Sequence, residues 1–217
     1  MIRVVLADDH HLVRQGIQAL LENAKDIEVV GDAEDGLEAV EMVRELKPDV
    51  LVMDIGMPHL NGIQATEKIR SINIPTKVLI LSMHSSELLV RKSLMAGAKG
   101  YLLKNSVTEE LLLAVRAVRA GQTYLSPPIS SIVTEGFLSH AKPMGEANPI
   151  DKLTAREREV LQLIAEGYTN QSISQMLQIA VSTVERHRAN LMSKLDVHDI
   201  AGLTRLAIQY GLVFLEK

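Results

Sequence analysis

Residues 47–62 read KPDVLVMDIGMPHLNG, and within them Val50-Leu51-Val52-Met53 is an unbroken apolar run that stops at Asp54. Successive strand side chains point to opposite faces, so a short run without polar alternation suits a strand buried on both sides. Similar runs flank it at regular spacing: Ile2 to Ala7, Ile27 to Val30, Lys77 to Leu81 and Gly100 to Leu103. The segments between them have helical periodicity. Val13, Ile17, Leu20 and Leu21 share one face, as do Val40, Val43 and Leu46, and later Leu111, Leu112, Val115 and Val118. Thr108, with Glu109 and Glu110 behind it, suits the start of the last of these helices. Strand and helix alternating five times predicts an α/β domain over residues 1–121, a doubly wound five-stranded parallel sheet.

The alternation stops at Gln122. Ser126-Pro127-Pro128 cannot continue a helix, although Ile129, Ile132, Val133 and Phe137 have near-helical spacing and allow a short one. Residues 122–150 read as a linker whose stretch SHAKPMGEANP, residues 139–149, is polar and carries two prolines and a glycine. From residue 151 to 217 every signal is helical. Thr154-Ala155-Arg156-Glu157 is a capping-box pattern opening the apolar series Val160, Leu161 and Ile164, which Gly167 ends. Further helices are expected from about Asn170 to Leu177, from a second capping box at Ser182-Thr183-Val184-Glu185 through Leu195, and from about Asp199 to Tyr210. The second domain is therefore a small all-α unit of four helices.

Composition narrows the chemistry. The 217 residues are 47% apolar and 23% charged, a globular balance, and with no Cys there is no disulfide, thiol nucleophile, iron–sulfur cluster or Cys-based zinc site. No apolar run approaches the roughly 18 residues of a membrane span, and MIRVVLADDHH is a poor signal peptide, so a cytoplasmic protein without membrane contact is expected. Four Tyr, two Phe and no Trp are too few for a base-stacking platform. Of the net charge of −4, the first domain carries −3 and the linker −1, because residues 151–217 balance eight Lys and Arg against eight Asp and Glu. The acidic total therefore says nothing against DNA.

In an open α/β sheet the functional crevice lies at the carboxyl ends of the strands. Here those ends carry Asp8 and Asp9, Asp54, Ser82 and, just past the fifth strand, Lys104. Three carboxylates converging on one edge call for a cation, and oxygen-only ligands suit Mg²⁺. A lysine and a hydroxyl beside a metal-held carboxylate form a site for a transferring phosphoryl group, with one carboxylate as nucleophile. Asp54, ending the central strand, is the best candidate. Asp8 and Asp9 as mere helix caps and Lys104 as a surface charge is the plain alternative, and five suitable residues at five suitable places argue against it. His10 and His11 are expected to be solvated, since adjacent residues rarely aim at one ion. Gly62 is expected to serve the turn into the third helix.

LADDH (6–10), DIGMPHLNGIQAT (54–66), LSMHSS (81–86) and GAKGYLLK (97–104) resemble the receiver domain of bacterial two-component response regulators across the whole first domain. The resemblance implies a flavodoxin-like fold in which Asp54 accepts phosphate from a sensor histidine kinase. It also implies that Asp8, Asp9, Asp54 and the carbonyl of Gly56 hold Mg²⁺. Ser82 and Tyr101 fall on the family's switch pair, in which the hydroxyl turns toward the phosphate and the ring moves inward behind it. Lys104 falls on the phosphate-contacting lysine. Asn105 stands where many receivers have proline, so a trans peptide and a slightly different loop are expected there.

In the helical domain the short stretch Gln178 to Val181 joins two helices as a helix-turn-helix does. Val184, Leu191 and Leu195 mark the buried face of the second. Opposite lie Thr183, Arg186, Asn190 and Lys194, with His187 and Ser193 at the edges. Arg and Asn suit guanine and adenine edges, while Ser182, Thr183, Lys194, Thr169 and Asn170 suit phosphates. A solvated polar face explains these residues equally well. The stretch from Leu153 to Ile208 resembles the LuxR-type helix-turn-helix along its length, and with the receiver this is similar to a response regulator of the NarL/FixJ class. The resemblance implies that the helix near Ser182 reads the major groove of promoter DNA, with Arg186 the expected base reader. It implies too that the final helix pairs phosphorylated chains as a homodimer, and that the chain is no enzyme beyond chemistry at its own Asp54. The rival reading is a phospho-switched interaction module whose helical domain binds a protein.

Overall fold

The structure, a computed structural model, describes residues 1–139 and 148–214. The chain splits into two compact units, Met1–Lys142 and Pro143–Lys217. The first contains β1 (Ile2–Ala7), α1 (His11–Glu22), β2 (Ile27–Ala33), α2 (Gly36–Leu46), β3 (Val50–Asp54), α3 (Gly62–Ser71), β4 (Lys77–Ser82), α4 (Glu87–Ala96), β5 (Gly100–Leu103), α5 (Val107–Arg119), β6 (Tyr124–Leu125) and α6 (Pro127–Ser139). All strands are parallel, in the order β2-β1-β3-β4-β5-β6. Val4, Leu6, Val50, Val52, Leu79 and Leu81 pack on Ile17 and Leu21 of α1 and on Leu111 and Val115 of α5. The alternate residues Val5, Leu51, Met53 and Ile80 are equally inaccessible, so β1, β3 and β4 are covered on both faces.

The sheet has six strands, one more than expected. β6 is only two residues long, too short to stand out as an apolar run, and it pairs Tyr124 with Gly100 and Leu125 with Tyr101. A side-chain bond anchors it as well: Tyr124 donates its hydroxyl to the Glu110 carboxylate of α5 at 2.7 Å. Pro127 and Pro128 then open α6, where proline's missing N–H costs nothing. This helix packs against α4 and β5. Much of the segment expected as linker thus belongs to the first unit, while residues 140–147 of that expected linker lie outside the described residues. A 3₁₀ turn at Lys104–Ser106 precedes α5, so the helix starts at Val107 without a Thr108 cap.

The second unit holds a 3₁₀ turn (Pro149–Lys152) and the helices α7 (Ala155–Ala165), α8 (Asn170–Met176), α9 (Val181–Leu195) and α10 (Ile200–Gln209). Val160, Leu161, Ile164, Ile173, Val184, Leu191, Leu195 and Leu203 form its core. The capping box at Thr154 and Glu157 is present on both sides. The one expected at Ser182 is not. Gln178 takes a left-handed turn with φ 51°, and Ala180 becomes the N-cap of α9 without a side-chain bond, leaving Ser182 inside the first turn. Among the described residues no helix is long and apolar enough to cross a membrane.

Candidate functional site

Strand register decides which residues meet. Ala7 pairs with Met53, Asp54 with Leu81 and Ser82 with Leu103, so the strands end level and release Asp8, Asp54, Ser82 and Lys104 at one edge. The Lys104 ammonium lies 2.7 Å from Asp8 Oδ2 and 3.1 Å from Asp54 Oδ1. Asp8 is 2% exposed and Asp54 6%. The Gly56 N–H donates to Asp54 Oδ2 at 3.2 Å, and the His10 N–H donates to Asp8 Oδ1 at 2.9 Å.

Burial raises the Asp54 carboxyl above its ordinary range, Asp8 and Asp9 push the same way, and Lys104 opposes them. Burial works against the Lys104 charge, but Asp54 and Asp8 outweigh it and hold the ammonium above its usual value. Each acid therefore needs the lysine, and together they still carry excess negative charge. That excess is the electrostatic requirement for a cation. Asp8 and Asp9 offer oxygens in one place, the ligand type that suits Mg²⁺, whereas Asp54 is not within that group. His10 is exposed, as expected, but it is not without contacts. Its Nδ1 lies 2.9 Å from Asp9 Oδ1, and it joins Asp8 and Asp9 in a cluster able to hold a metal ion, whereas His11 simply opens α1.

Gly62 sits where a Cβ would come within 2.4 Å of the Asp54 carbonyl oxygen. α3 therefore begins pressed against the main chain of Asp54, and the Asn61 side chain caps it by accepting from the Ile63 and Gln64 N–H groups. That close approach leaves no room for a side chain at the first residue of α3.

Ser82 and Tyr101 are fully buried. They are linked through one residue: the His84 N–H donates to Ser82 Oγ at 3.0 Å, and Tyr101 donates its hydroxyl to the His84 carbonyl at 2.7 Å. Burial pushes the Tyr101 phenol up to about 12. The ring lies inward, and its own main chain carries β6, because Tyr101 O accepts from the Ser126 N–H at 3.1 Å. The peptide before Asn105 is trans.

The expected DNA face is only partly free. Ser182, Glu185, Arg186, Ala189 and Asn190 are exposed along α9, with Thr183 half-buried. Lys194 is 40% exposed, but its ammonium is already engaged. Its ammonium lies 2.8 Å from both carboxylate oxygens of Glu157, a residue 3% exposed. Asn170 accepts from the Arg188 guanidinium at 2.8 Å, and Thr169 caps α8 by accepting from the Ser172 N–H. His187 is half-buried, with Nδ1 enclosed and unpartnered. Arg188 escaped sequence reasoning because it stands four residues after Val184 and three before Leu191, on the stripe read as buried. Its distance of 18 residues from Asn170 has no local signature.

Comparison with known proteins gives the same division. The response regulator receiver domain family matches residues 4–116, and the bacterial regulatory proteins of the luxR family match residues 151–207. Oxygen regulatory protein NreC of Staphylococcus haemolyticus is 41% identical over 98% of this chain and 99% of its own. The signal receiver domain of NarL from Mycobacterium tuberculosis is 39% identical, with a TM-score of 0.55 over 56% of this chain and 98% of that one. A DNA complex of the two-component response regulator RcsB is 26% identical, with a TM-score of 0.58 over 94% of this chain and 96% of that one.

Proposed function

The chain belongs to the response regulators that join a receiver domain to a LuxR-type DNA-binding domain, and from that premise we propose that Asp54 is the phosphoacceptor whose state governs promoter binding. It is a DNA-binding transcription regulator of a two-component system. The observation that carries the residue assignment is the buried Asp8–Lys104–Asp54 arrangement, with Lys104 within 3.1 Å of both acids.

An Asp54 carboxylate oxygen attacks the phosphorus of a kinase phosphohistidine, forming an O–P bond as the P–N bond breaks. Lys104 leaves its contact with Asp54 to hold a phosphoryl oxygen, and Ser82 Oγ, still accepting from the His84 N–H, turns its own proton to another. Asp8, Asp9, Asp54 and the Gly56 carbonyl would hold Mg²⁺, which when bound neutralises the phosphoryl oxygens. Movement of Ser82 pulls His84, and His84 holds the Tyr101 hydroxyl. β6 hangs on the Tyr101 carbonyl, so the change passes to α6 and the chain leading to the second unit. Two states differing by one new charge and its contacts suffice for such a switch.

In the helical unit Arg186 reads a base edge, with Ser182, Thr183 and Asn190 beside it. Thr169 and Asn170 orient the face, His187 stands at its edge, and α10 pairs two copies on a duplex site. The partners are a sensor histidine kinase, promoter DNA and a second copy. Incubation with acetyl phosphate and Mg²⁺ should add the mass of one phosphoryl group to the intact protein and none to Asp54→Asn. Continued labelling of Asp54→Asn would refute the assignment.

A further inference from the structure

The Arg14 guanidinium lies beneath the acidic site, 5% exposed, on the first turn of α1. Three of its nitrogens are used. Nη1 donates to the Asp8 carbonyl at 2.6 Å, Nε to Asp32 Oδ2 at 2.7 Å and Nη2 to Glu34 Oε1 at 2.6 Å. Asp32 lies at the end of β2 and Glu34 just beyond it, so one planar group joins the tip of β2 to the turn that follows β1. We infer that Arg14 is a positioning residue for the metal site, fixing the Asp8-Asp9 main chain so that both carboxylates face the crevice before any cation arrives. This inference rests on the Mg²⁺ reading given above.

Asp8 and Asp9 are adjacent acids, and their repulsion favours opening the turn that joins β1 to α1. Three interactions oppose it. Asp8 N–H donates to the Ala33 carbonyl, His10 N–H donates to the Asp8 carboxylate, and Arg14 holds the Asp8 carbonyl from the other side. Of these three only the last brings a positive charge, and it acts on the main chain, whereas Lys104 neutralises the Asp8 carboxylate itself at 2.7 Å. A surface ion pair does not account for this placement. Asp32 and Glu34 are 51% and 70% exposed and gain little from a partner, whereas the Arg14 side chain is buried. A buried charge is tolerated for what it holds, and what it holds inside is the Asp8 carbonyl. Lysine could not replace it: a single ammonium cannot reach acceptors on β1 and on both sides of the β2 tip at once. Outer residues that orient metal ligands typically change metal affinity by about 10–100-fold when lost.

The test measures Mn²⁺ binding to the full chain by the paramagnetic resonance of free Mn²⁺, with the unfolding midpoint of each variant recorded alongside. Arg14→Lys keeps the charge and loses the fork; Arg14→Gln loses both. Each is expected to weaken Mn²⁺ about tenfold or more, while the double variant Asp32→Asn/Glu34→Gln, which leaves the bond to the Asp8 carbonyl, stays within a few-fold of the wild type. A merely structural role predicts a lower unfolding midpoint with unchanged Mn²⁺ affinity in the folded protein, and that result overturns the inference. Should Arg14→Gln fail to fold, Arg14→Lys decides alone, and wild-type affinity in it overturns the inference. Asp9→Asn separates the two levels: if it binds Mn²⁺ like the wild type, the metal site itself is misassigned, irrespective of Arg14.

Discussion

Removing the phosphoacceptor charge should make the metal-free protein more stable. Asp54 is buried against Lys104, Asp8 and Asp9, and its carboxyl is held above the ordinary range, so the folded state disfavours its charge relative to the unfolded chain. Asp54→Asn keeps the shape and removes that cost. It also removes a lysine partner, a change that would normally leave a buried charge alone at a penalty of about 3–5 kcal/mol. Here it does not, because Lys104 keeps Asp8 at 2.7 Å. The net expectation is the gain typical of relieving a strained functional site, about 0.5–2 kcal/mol, or about 2–4 °C in Tm for each kcal/mol. The pH dependence follows from the raised carboxyl. An acid whose folded pKa lies above its unfolded one costs stability when ionised, fully so above the folded value, and the cost fades as pH falls through the folded value and is gone below the unfolded one. The gap between Asp54→Asn and the wild type should therefore be widest at neutral pH and close through the carboxylate range. Urea unfolding followed by circular dichroism in a chelator, at neutral and acid pH, measures both. An Asp54→Asn protein less stable than the wild type at neutral pH would refute the electrostatic account of the site, as would a gap that widens in acid.

Three further outcomes follow from the geometry. Lys194→Met should destabilise the helical unit by about 1–2 kcal/mol by leaving Glu157 without its cation, while leaving the salt dependence of DNA binding unchanged; a shallower salt slope would make Lys194 a phosphate contact. Burial opposes ionisation of Glu157, but Lys194 and Thr154 outweigh it and hold its carboxyl low, so the Lys194 contribution should be present at neutral pH and disappear in acid unfolding experiments as Glu157 protonates. Gly100→Ala should loosen β6, since a Cβ there would meet Leu79 at 2.5 Å and the Tyr124 carbonyl at 3.1 Å; hydrogen exchange at the Ser126 amide should rise, and unchanged protection would show that β6 does not depend on that approach. Phosphorylation of the wild type should change protection at the same amide, and a silent Ser126 would remove β6 from the signalling route.

What could be read beforehand follows physical range. The strand ends were legible because a parallel sheet brings residues far apart in sequence to one edge by a simple rule, and the apolar runs ending at Asp54 and just before Asp8 mark that edge. β6 was hidden because its two residues gain their place from Gly100 and Tyr101, not from a pattern of their own. The second capping box misled because Gln178 and Ala180 set the start of α9 through backbone conformation, which side-chain spacing does not encode. Lys194 and Asn170 were placed on the correct helices, but their partners Glu157 and Arg188 lie 37 and 18 residues away. Helical periodicity places a residue on a face; it does not say which neighbour takes the charge. Arg14 was invisible for the same reason, since its use is defined by a main-chain carbonyl.

The most direct test is the anisotropy of a labelled DNA duplex, selected in vitro by the phosphorylated protein, titrated with the phosphorylated and unphosphorylated full chain at several salt concentrations. The account predicts tighter, salt-dependent binding after phosphorylation, a loss of about 1–3 kcal/mol in Arg186→Ala, and no response to phosphodonor in Asp54→Asn. Equal affinity in both phosphorylation states, or no binding in either, would contradict it.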